Sequence, residues 1–462
     1  MKHFTVDGIW WLPDAPDKSI PGTLTFDSNG LELVTQGSIG LLTKTISNDN
    51  DVSVSTEPEG RSVPIIHGRS RDHKDLTLFD CTGYDFLIAD STNTYRITTC
   101  VDGCHAITDN FTEVMCQFDW LDAWTQPPSI SEYNGDTVTI QWARRELASA
   151  KVADYSIRLM TGVEGKAGDH AVHLDRWTAF FIEGPGLPIR SIVESLVRPL
   201  QDLLVFALAR PVRLTRFSVR SEKMGPREDF ASVAFDVLQP EPTVTPSLAS
   251  ILSYTSPCLL TFNDSPIPFN QLLPRWFDLR KELSSVFVQL LIPLYAPFIF
   301  TEHRYSARFQ SAEALARKRY GGSEVERLAH RERVESVIEV LRGAGIDSGE
   351  VARAERLLKR NDKPLAASIT ELVESTGAVG KKILSALPTF GKAVTGARTS
   401  VSHPGRHNNE GAHLYWHGEV LHWVVRARLL IELGFPQSEV EERVLGRTSF
   451  TYALEKIRPT ET

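Results

Sequence analysis

The first half of the chain alternates apolar and polar residues in short runs, the period of half-buried strands. Gly22–Phe26 and Leu31–Val34 flank Ser28, Asn29 and Gly30, residues that suit a tight turn, and together they predict a hairpin. Val138–Trp142, Tyr155–Leu159 and Ala171–Phe181 alternate in the same way, with Gly, Asp and Asn between the runs. Such strands predict an antiparallel sandwich or barrel. One helix interrupts them, because Ile192, Leu196, Leu200, Leu204 and Leu208 recur every four residues. A strand over Val212–Val219 comes after it. Neighbours in a strand point to opposite faces, so one of Trp10 and Trp11 belongs in a core and the other is a candidate partner contact.

Gln239–Pro246 is Pro-rich, the mark of a linker. From about Trp276 the apolar spacing is helical, and it predicts helices over 278–293, 304–319, 323–342, 349–360, 365–386, 390–402, 411–433 and 437–447. Ser323 followed by Glu326 is a capping-box signature. Ser348 is the expected N-cap of the next helix, and Gly434 with Pro436 is a helix stop. The expected architecture is α+β and multidomain. Residues 1–245 form a β-rich antiparallel N-terminal domain, 246–275 a connector packed on the next domain, and 276–462 an α-helical bundle.

A chain of 462 residues is too long for one ordinary core, which agrees with this division. The net charge of −8 argues against a surface that binds nucleic acid everywhere. The charge is uneven, however. Residues 301–462 hold 25 Lys and Arg against 21 Asp and Glu, whereas residues 1–300 hold 25 against 37. The helical half is therefore compatible with a local RNA site. Arg317, Lys318 and Arg319 read as the basic end of a helix. No apolar run approaches the ~20 residues that span a bilayer. Asp7 and Asp14 break the stretch where a signal peptide's apolar centre would lie, so a cytoplasmic location with no membrane partner is expected. Cys81, Cys100, Cys104 and Cys116 admit two readings, buried thiols or a metal site with His105. The spacing is not that of a standard zinc knuckle, and buried thiols are expected.

The segment from Phe390 to Gly405 carries the chemistry. Phe390, Val394, Ala397 and Val401 turn one helix face inward, with Arg398 beside that stripe. His403 lies five residues on, about 140° round an ideal helix, where the two side chains would not meet. Pro404 disfavours the α conformation at His403, and Gly405 suits the end of a turn. The helix is expected to stop near Ser402 and free His403.

Arg398-Thr-Ser-Val-Ser-His403 resembles the Arg-x4-His signature of HEPN domains, small helical bundles found in many RNases. Trp10, Trp11, Leu12-Pro13 and Pro21–Phe26 resemble the N-terminal domain of the ApeA family of bacterial abortive-infection proteins. Leu273–Phe277 and Arg308–Glu313 resemble later segments of that family. The resemblance follows the family's domain order over most of the chain. It implies an anti-phage endoribonuclease that acts as a homodimer or larger homo-oligomer, two motifs meeting in one cleft. Arg398 and His403 would be catalytic, and neither metal nor cofactor is required. The implied partners are an RNA substrate, tRNA among the candidates, and a phage-derived trigger. HEPN nucleases usually carry Asn, Asp or His after the Arg; here Thr399, a shorter hydrogen-bonding group, takes the supporting place. Glu313, on the preceding helix, is the second supporting candidate, either as a carboxylate that orients Arg398 or as a solvated helix-face residue. Arg406 and His407 in the turn-like stretch after the motif are candidate RNA contacts.

Other readings stay open. Arg406 and His413 fit a looser Arg-x6-His spacing. His413 and His417 lie four apart, as metal ligands on a helix would, but with Tyr415, Trp416, His422 and Trp423 they read as a partly buried amphipathic face. Two further function classes compete with the nuclease: a non-catalytic HEPN module that dimerises or binds RNA or protein, and a glycan- or peptide-binding β-domain with a helical oligomerisation tail.

Overall fold

The computed structural model describes residues 4–27, 30–39, 59–85, 92–106, 110–127, 131–134, 137–140, 144–167, 172–221, 231–235, 258–296, 299–402 and 411–459. The chain forms two compact units. One comprises 1–204, 212–245 and 268–274, the other 205–211, 246–267 and 275–462.

The first unit is built on six strands, β1 (Phe4–Trp11), β2 (Ile20–Asp27), β3 (Gly30–Gln36), β4 (Glu59–Ser70), β5 (Asp75–Asp85) and β6 (Thr92–Asp102). They pair antiparallel in the order β1-β2-β3-β6-β5-β4, and β4 returns to β1, which closes a barrel. Closure removes free edges. The predicted hairpin is β2–β3, with Asp27 opposite Gly30; its Ser28 and Asn29 lie outside the described residues. Inward-pointing residues such as Trp10, Leu24, Leu33, Ile66, Leu78 and Ile97 fill the barrel. Trp10 is fully buried, while Trp11 is half-buried with its ring edge-on to His105 at 5.1 Å. The ring of Trp10 lies flat on the backbone at Gly68, where an added Cβ would come within 2.2 Å of it.

Past residue 98, β6 exchanges its β3 neighbour for β14 (Ala231–Phe235). An antiparallel sheet continues from there through β13 (Leu214–Arg220), β7 (Asn110–Phe118), β12 (Val172–Pro188), β11 (Tyr155–Ala167) and β10 (Arg145–Val152). A separate hairpin joins β8 (Ser131–Asn134) and β9 (Thr137–Ile140). The short α1 (Leu121–Thr125) follows β7. The predicted helix starts at Ile189 as α2 (Ile189–Ile192), passes a π turn at Val193–Val197 and continues as α3 (Arg198–Leu208). Cys81, Cys100, Cys104 and Cys116 are all buried, and burial pushes the thiols of Cys81, Cys100 and Cys116 far up. The ring of His105 donates to the Gly68 carbonyl at 2.9 Å. The buried-thiol expectation therefore describes these residues.

The helical region runs through α4 (Phe269–Glu282), α5 (Ser284–Tyr295), α6 (Thr301–Tyr320), α7 (Arg327–Gly343), α8 (Ser348–Leu358), α9 (Leu365–Glu374), α10 (Ala378–Ala386), α11 (Phe390–Ser402), α12 (Gly411–Glu432), α13 (Gln437–Leu445) and α14 (Thr448–Ile457). Among the described residues, no helix is long and apolar enough to cross a membrane. The helix expected over 278–293 begins earlier, at Phe269, and breaks at Leu283, whose φ of −110° and ψ of 35° leave the helical region. The helix expected over 365–386 breaks at Gly377, which takes φ +67°. Two caps also differ. The carboxylate of Glu326, not the Ser323 hydroxyl, caps α7 by accepting from Ala329 N at 2.9 Å. Asp347, not Ser348, caps α8 through Gly349 N at 2.8 Å. In both places an ionised acceptor sits at the positive end of the helix, where it outcompetes a hydroxyl. The Gly434 stop forms as expected. Gly434 takes φ +98°, and Phe435 N bonds Leu430 O while Gly434 N bonds Ile431 O, the two bonds of a Schellman end.

Gly68→Val should displace Trp10 and lower the stability of the barrel by about 1–3 kcal/mol through overpacking. Denaturant unfolding followed by Trp fluorescence checks this, and an unchanged midpoint would contradict the close contact.

Candidate active site

Arg398 projects from α11, which packs on α6 and α9 and meets α12 where Phe390 faces His417. Phe390 and Val394 of α11 are fully buried and Ala397 nearly so. At Gly391 an added Cβ would fall 2.4 Å from both the Ala366 carbonyl and the Thr370 hydroxyl of α9. Only glycine permits that approach. Arg398, one position beyond the buried stripe, is exposed. Beneath it lies Tyr305 of α6, buried to 1% exposure, whose hydroxyl donates to the Val394 carbonyl at 2.6 Å. Burial pushes the Tyr305 phenol up, and the positive charge of Arg398 opposes that shift, so the two groups are within electrostatic reach.

The other expected site residues are placed unevenly. Thr399 is exposed, and its hydroxyl turns back to the Thr395 carbonyl at 3.2 Å. Glu313 pairs with Arg317 one turn along α6 at 2.9 Å, and it stands about 12 Å along that helix from Tyr305 by the rise per residue. Its ion pair is thus within its own helix. His403, Arg406 and His407 lie outside the described residues, as do Pro404 and Gly405.

A buried polar cluster joins α6 to α12 behind this surface. Arg308 is 6% exposed and donates Nη1 to Glu419 Oε1 at 2.6 Å. Arg426, fully buried, donates Nη2 to the Phe206 carbonyl at 2.6 Å and faces the rings of Phe206 and Trp423 at 5.6 and 5.3 Å. Burial lowers its pKa to about 9. His422 is held neutral by burial and by the charges of Arg308 and Arg426. His417 packs against Phe390 at 6.1 Å, and burial, helped by His413, lowers its pKa to about 4. The face carrying His417 and His422 is therefore partly buried, as its residue pattern predicted. Farther along, Arg319 bridges Glu432 and Glu282, both at 2.6 Å, so the basic end of α6 is an anchor. The family-like segment Arg308–Glu313 contains one member of this cluster, but Tyr305, Glu419 and Arg426 do not stand out from sequence motifs. Their signal is a polar residue at a core position: Arg426 stands among Val424, Val425, Ala427 and Leu429, all fully buried.

Glu419→Ala should destabilise the helical unit by about 3–5 kcal/mol, because it strands the buried Arg308 charge; thermal unfolding checks this. Acidification should also destabilise it. An unfolded His417 takes up its proton near pH 6.5, whereas the folded one does so only near 4. Between those values the unfolded chain binds more protons, so stability falls as pH falls through that window. His417→Gln should flatten the fall, and unfolding free energies from pH 7 to 4 for the two proteins measure it.

The family of ApeA N-terminal domain 1 matches residues 5–276, and the Apea-like HEPN family matches residues 307–439, a span that contains Arg308, Arg398, His403 and Glu419. No curated protein and no solved structure matches the chain. HEPN domains are commonly RNases, and they typically dimerise and bind RNA. The first match alone covers more than half of the sequence and the second comes after it in order, so the chain belongs to the ApeA family and carries an ApeA-like HEPN domain in its C-terminal half.

Proposed function

We propose that this protein is a metal-independent endoribonuclease of an abortive-infection anti-phage system, with Arg398 and His403 as its catalytic residues. The observation that carries the reading is the placement of Arg398. It is an exposed cation on the buried-faced α11 of a HEPN domain, five residues before a histidine.

RNA supplies its own nucleophile. A neutral imidazole takes the proton of the ribose 2′-hydroxyl as that oxygen attacks phosphorus. The P–O5′ bond breaks, and an imidazolium protonates the departing O5′. The products are a 2′,3′-cyclic phosphate and a 5′-hydroxyl. Two copies of His403 from a homodimer divide the base and acid roles. Arg398 keeps its charge and forks two hydrogen bonds onto the phosphate as negative charge builds there. DNA lacks the 2′-hydroxyl and is not a substrate for this route. Arg406 and His407, next to the motif, are the proposed RNA contacts. Thr399 supports Arg398 by holding the local turn.

One observation favours a second reading. Where catalytic HEPN domains usually carry Asn, Asp or His, the hydroxyl of Thr399 is engaged by its own helix. A non-catalytic HEPN module that dimerises and binds RNA or protein would use the same surface.

The decisive comparison is wild type against Arg398→Ala/His403→Ala, both as purified full chains with total bacterial RNA in excess EDTA and in phage-infected cells that supply any trigger. Wild type should generate RNA fragments ending in cyclic phosphate, and the double variant should lose this by at least about 100-fold. Equal cleavage by both proteins would overturn the assignment of Arg398 and His403, and no cleavage in either setting with phage protection intact in the variant would decide for the non-catalytic module.

A further inference from the structure

We propose that Tyr305 is a positioning residue for Arg398, its buried hydroxyl clamping the α11 carbonyl that fixes the turn from which the guanidinium reaches RNA. The proposal rests on the reading of Arg398 as catalytic and adds a residue outside the Arg-x4-His motif to that site.

The first observation is the acceptor. A buried phenol needs a hydrogen-bond partner. Here the acceptor is the carbonyl of Val394, in the interior of α11, at 2.6 Å. In an α-helix that carbonyl is also the acceptor for the backbone amide of residue 398. The Tyr305 hydroxyl and the Arg398 amide therefore converge on one oxygen.

The second is that the hydroxyl is not needed to fill space. The Tyr305 ring is packed beside Phe309 at 6.0 Å and reaches α12 at Gly418, where an added Cβ would touch it at 3.4 Å. Phenylalanine would satisfy those contacts. What the oxygen adds is a directional bond to one turn of a neighbouring helix.

The third is the frame around that turn. Gly391 lets α11 sit close against α9, and Tyr305 holds it from α6. These two contacts, one on each neighbour, fix α11 against both sliding and rotation. Arg398 is exposed, so its long side chain is oriented chiefly by the backbone from which it springs. A displacement of about 1 Å at a charge-stabilising group costs on the order of 100-fold in rate. The phenol also senses the Arg398 charge, which places the two in one electrostatic neighbourhood.

The test is a double-mutant cycle in RNA cleavage with Tyr305→Phe, Arg398→Ala and the combined variant. Tyr305→Phe should lower kcat by about 10-fold or more while KM stays within about twofold, because RNA binding is spread over other contacts. In the Arg398→Ala background it should have no further effect. A purely structural tyrosine would lower activity by the same factor in both backgrounds, and that result, or full activity of Tyr305→Phe, overturns the proposal. A wild type that cuts no RNA sinks the nuclease reading instead. The clamp is then read directly by amide hydrogen exchange over residues 395–399. Exchange about fivefold faster in Tyr305→Phe supports the clamp, and unchanged exchange overturns it.

Discussion

The arrangement around Arg398 depends on the burial of charge between α6 and α12. Arg308, almost fully buried, and Glu419, mostly buried, meet at 2.6 Å, and Arg426 lies a few residues further along α12. Burying ions is costly, and geometry has to offset the loss of water. The offset comes from directional contacts: a carboxylate for Arg308, a backbone carbonyl and two aromatic faces for Arg426. Such contacts are satisfied in one register only, whereas an apolar seam between two helices tolerates sliding. The pair therefore sets where α6 lies on α12.

Once α6 is fixed, so is the surface. Its polar residues serve different neighbours at successive turns. Tyr305 bonds α11, Arg308 bonds α12, Ser311 donates to the Val286 carbonyl of α5, and Arg319 ties the end of the helix to Glu282 and Glu432. A helix with this many buried polar anchors acts as a template. α11 is then held between α6 and α9 with its apolar stripe down and Arg398 up. The exposed cation is the visible end of a chain of contacts that starts at a buried ion pair.

Much of this is legible in the sequence, for reasons specific to each element. The barrel strands alternate cleanly because one face is filled by Trp10, Leu24 and Leu33, and the α11 stripe is regular because Phe390, Val394 and Ala397 share one buried face. Phe450, Ala453, Leu454 and Ile457 repeat at helical spacing too, a signal for α14 that the expected helices, ending at 447, leave out. Other features are hidden by tertiary context. Periodicity runs straight through Leu283 and Gly377, and local dihedrals alone end the helices there. A capping-box pattern at Ser323 cannot reveal that the Glu326 carboxylate starts the helix later. The role of Tyr305 is invisible in sequence, because its partner is a backbone carbonyl 89 residues away.

The same buried charges bear on which histidine can move protons. His417 and His422 both lie on α12 near the motif, and composition alone makes them candidates. Desolvation disfavours the charged form of both, helped by His413 at His417 and by Arg308 and Arg426 at His422, which has almost no access to solvent. An acid must be protonated part of the time and must reach the leaving oxygen; burial works against both at His422 and against the first at His417. On the proposed chemistry the proton carrier has to stand clear of this packed face. His403 comes directly after the last residue of α11, and Pro404 behind it disfavours continuing the helix. Under that proposal, the electrostatics that make α12 a structural wall leave acid–base work to the motif histidine, with Arg398 as the charged partner.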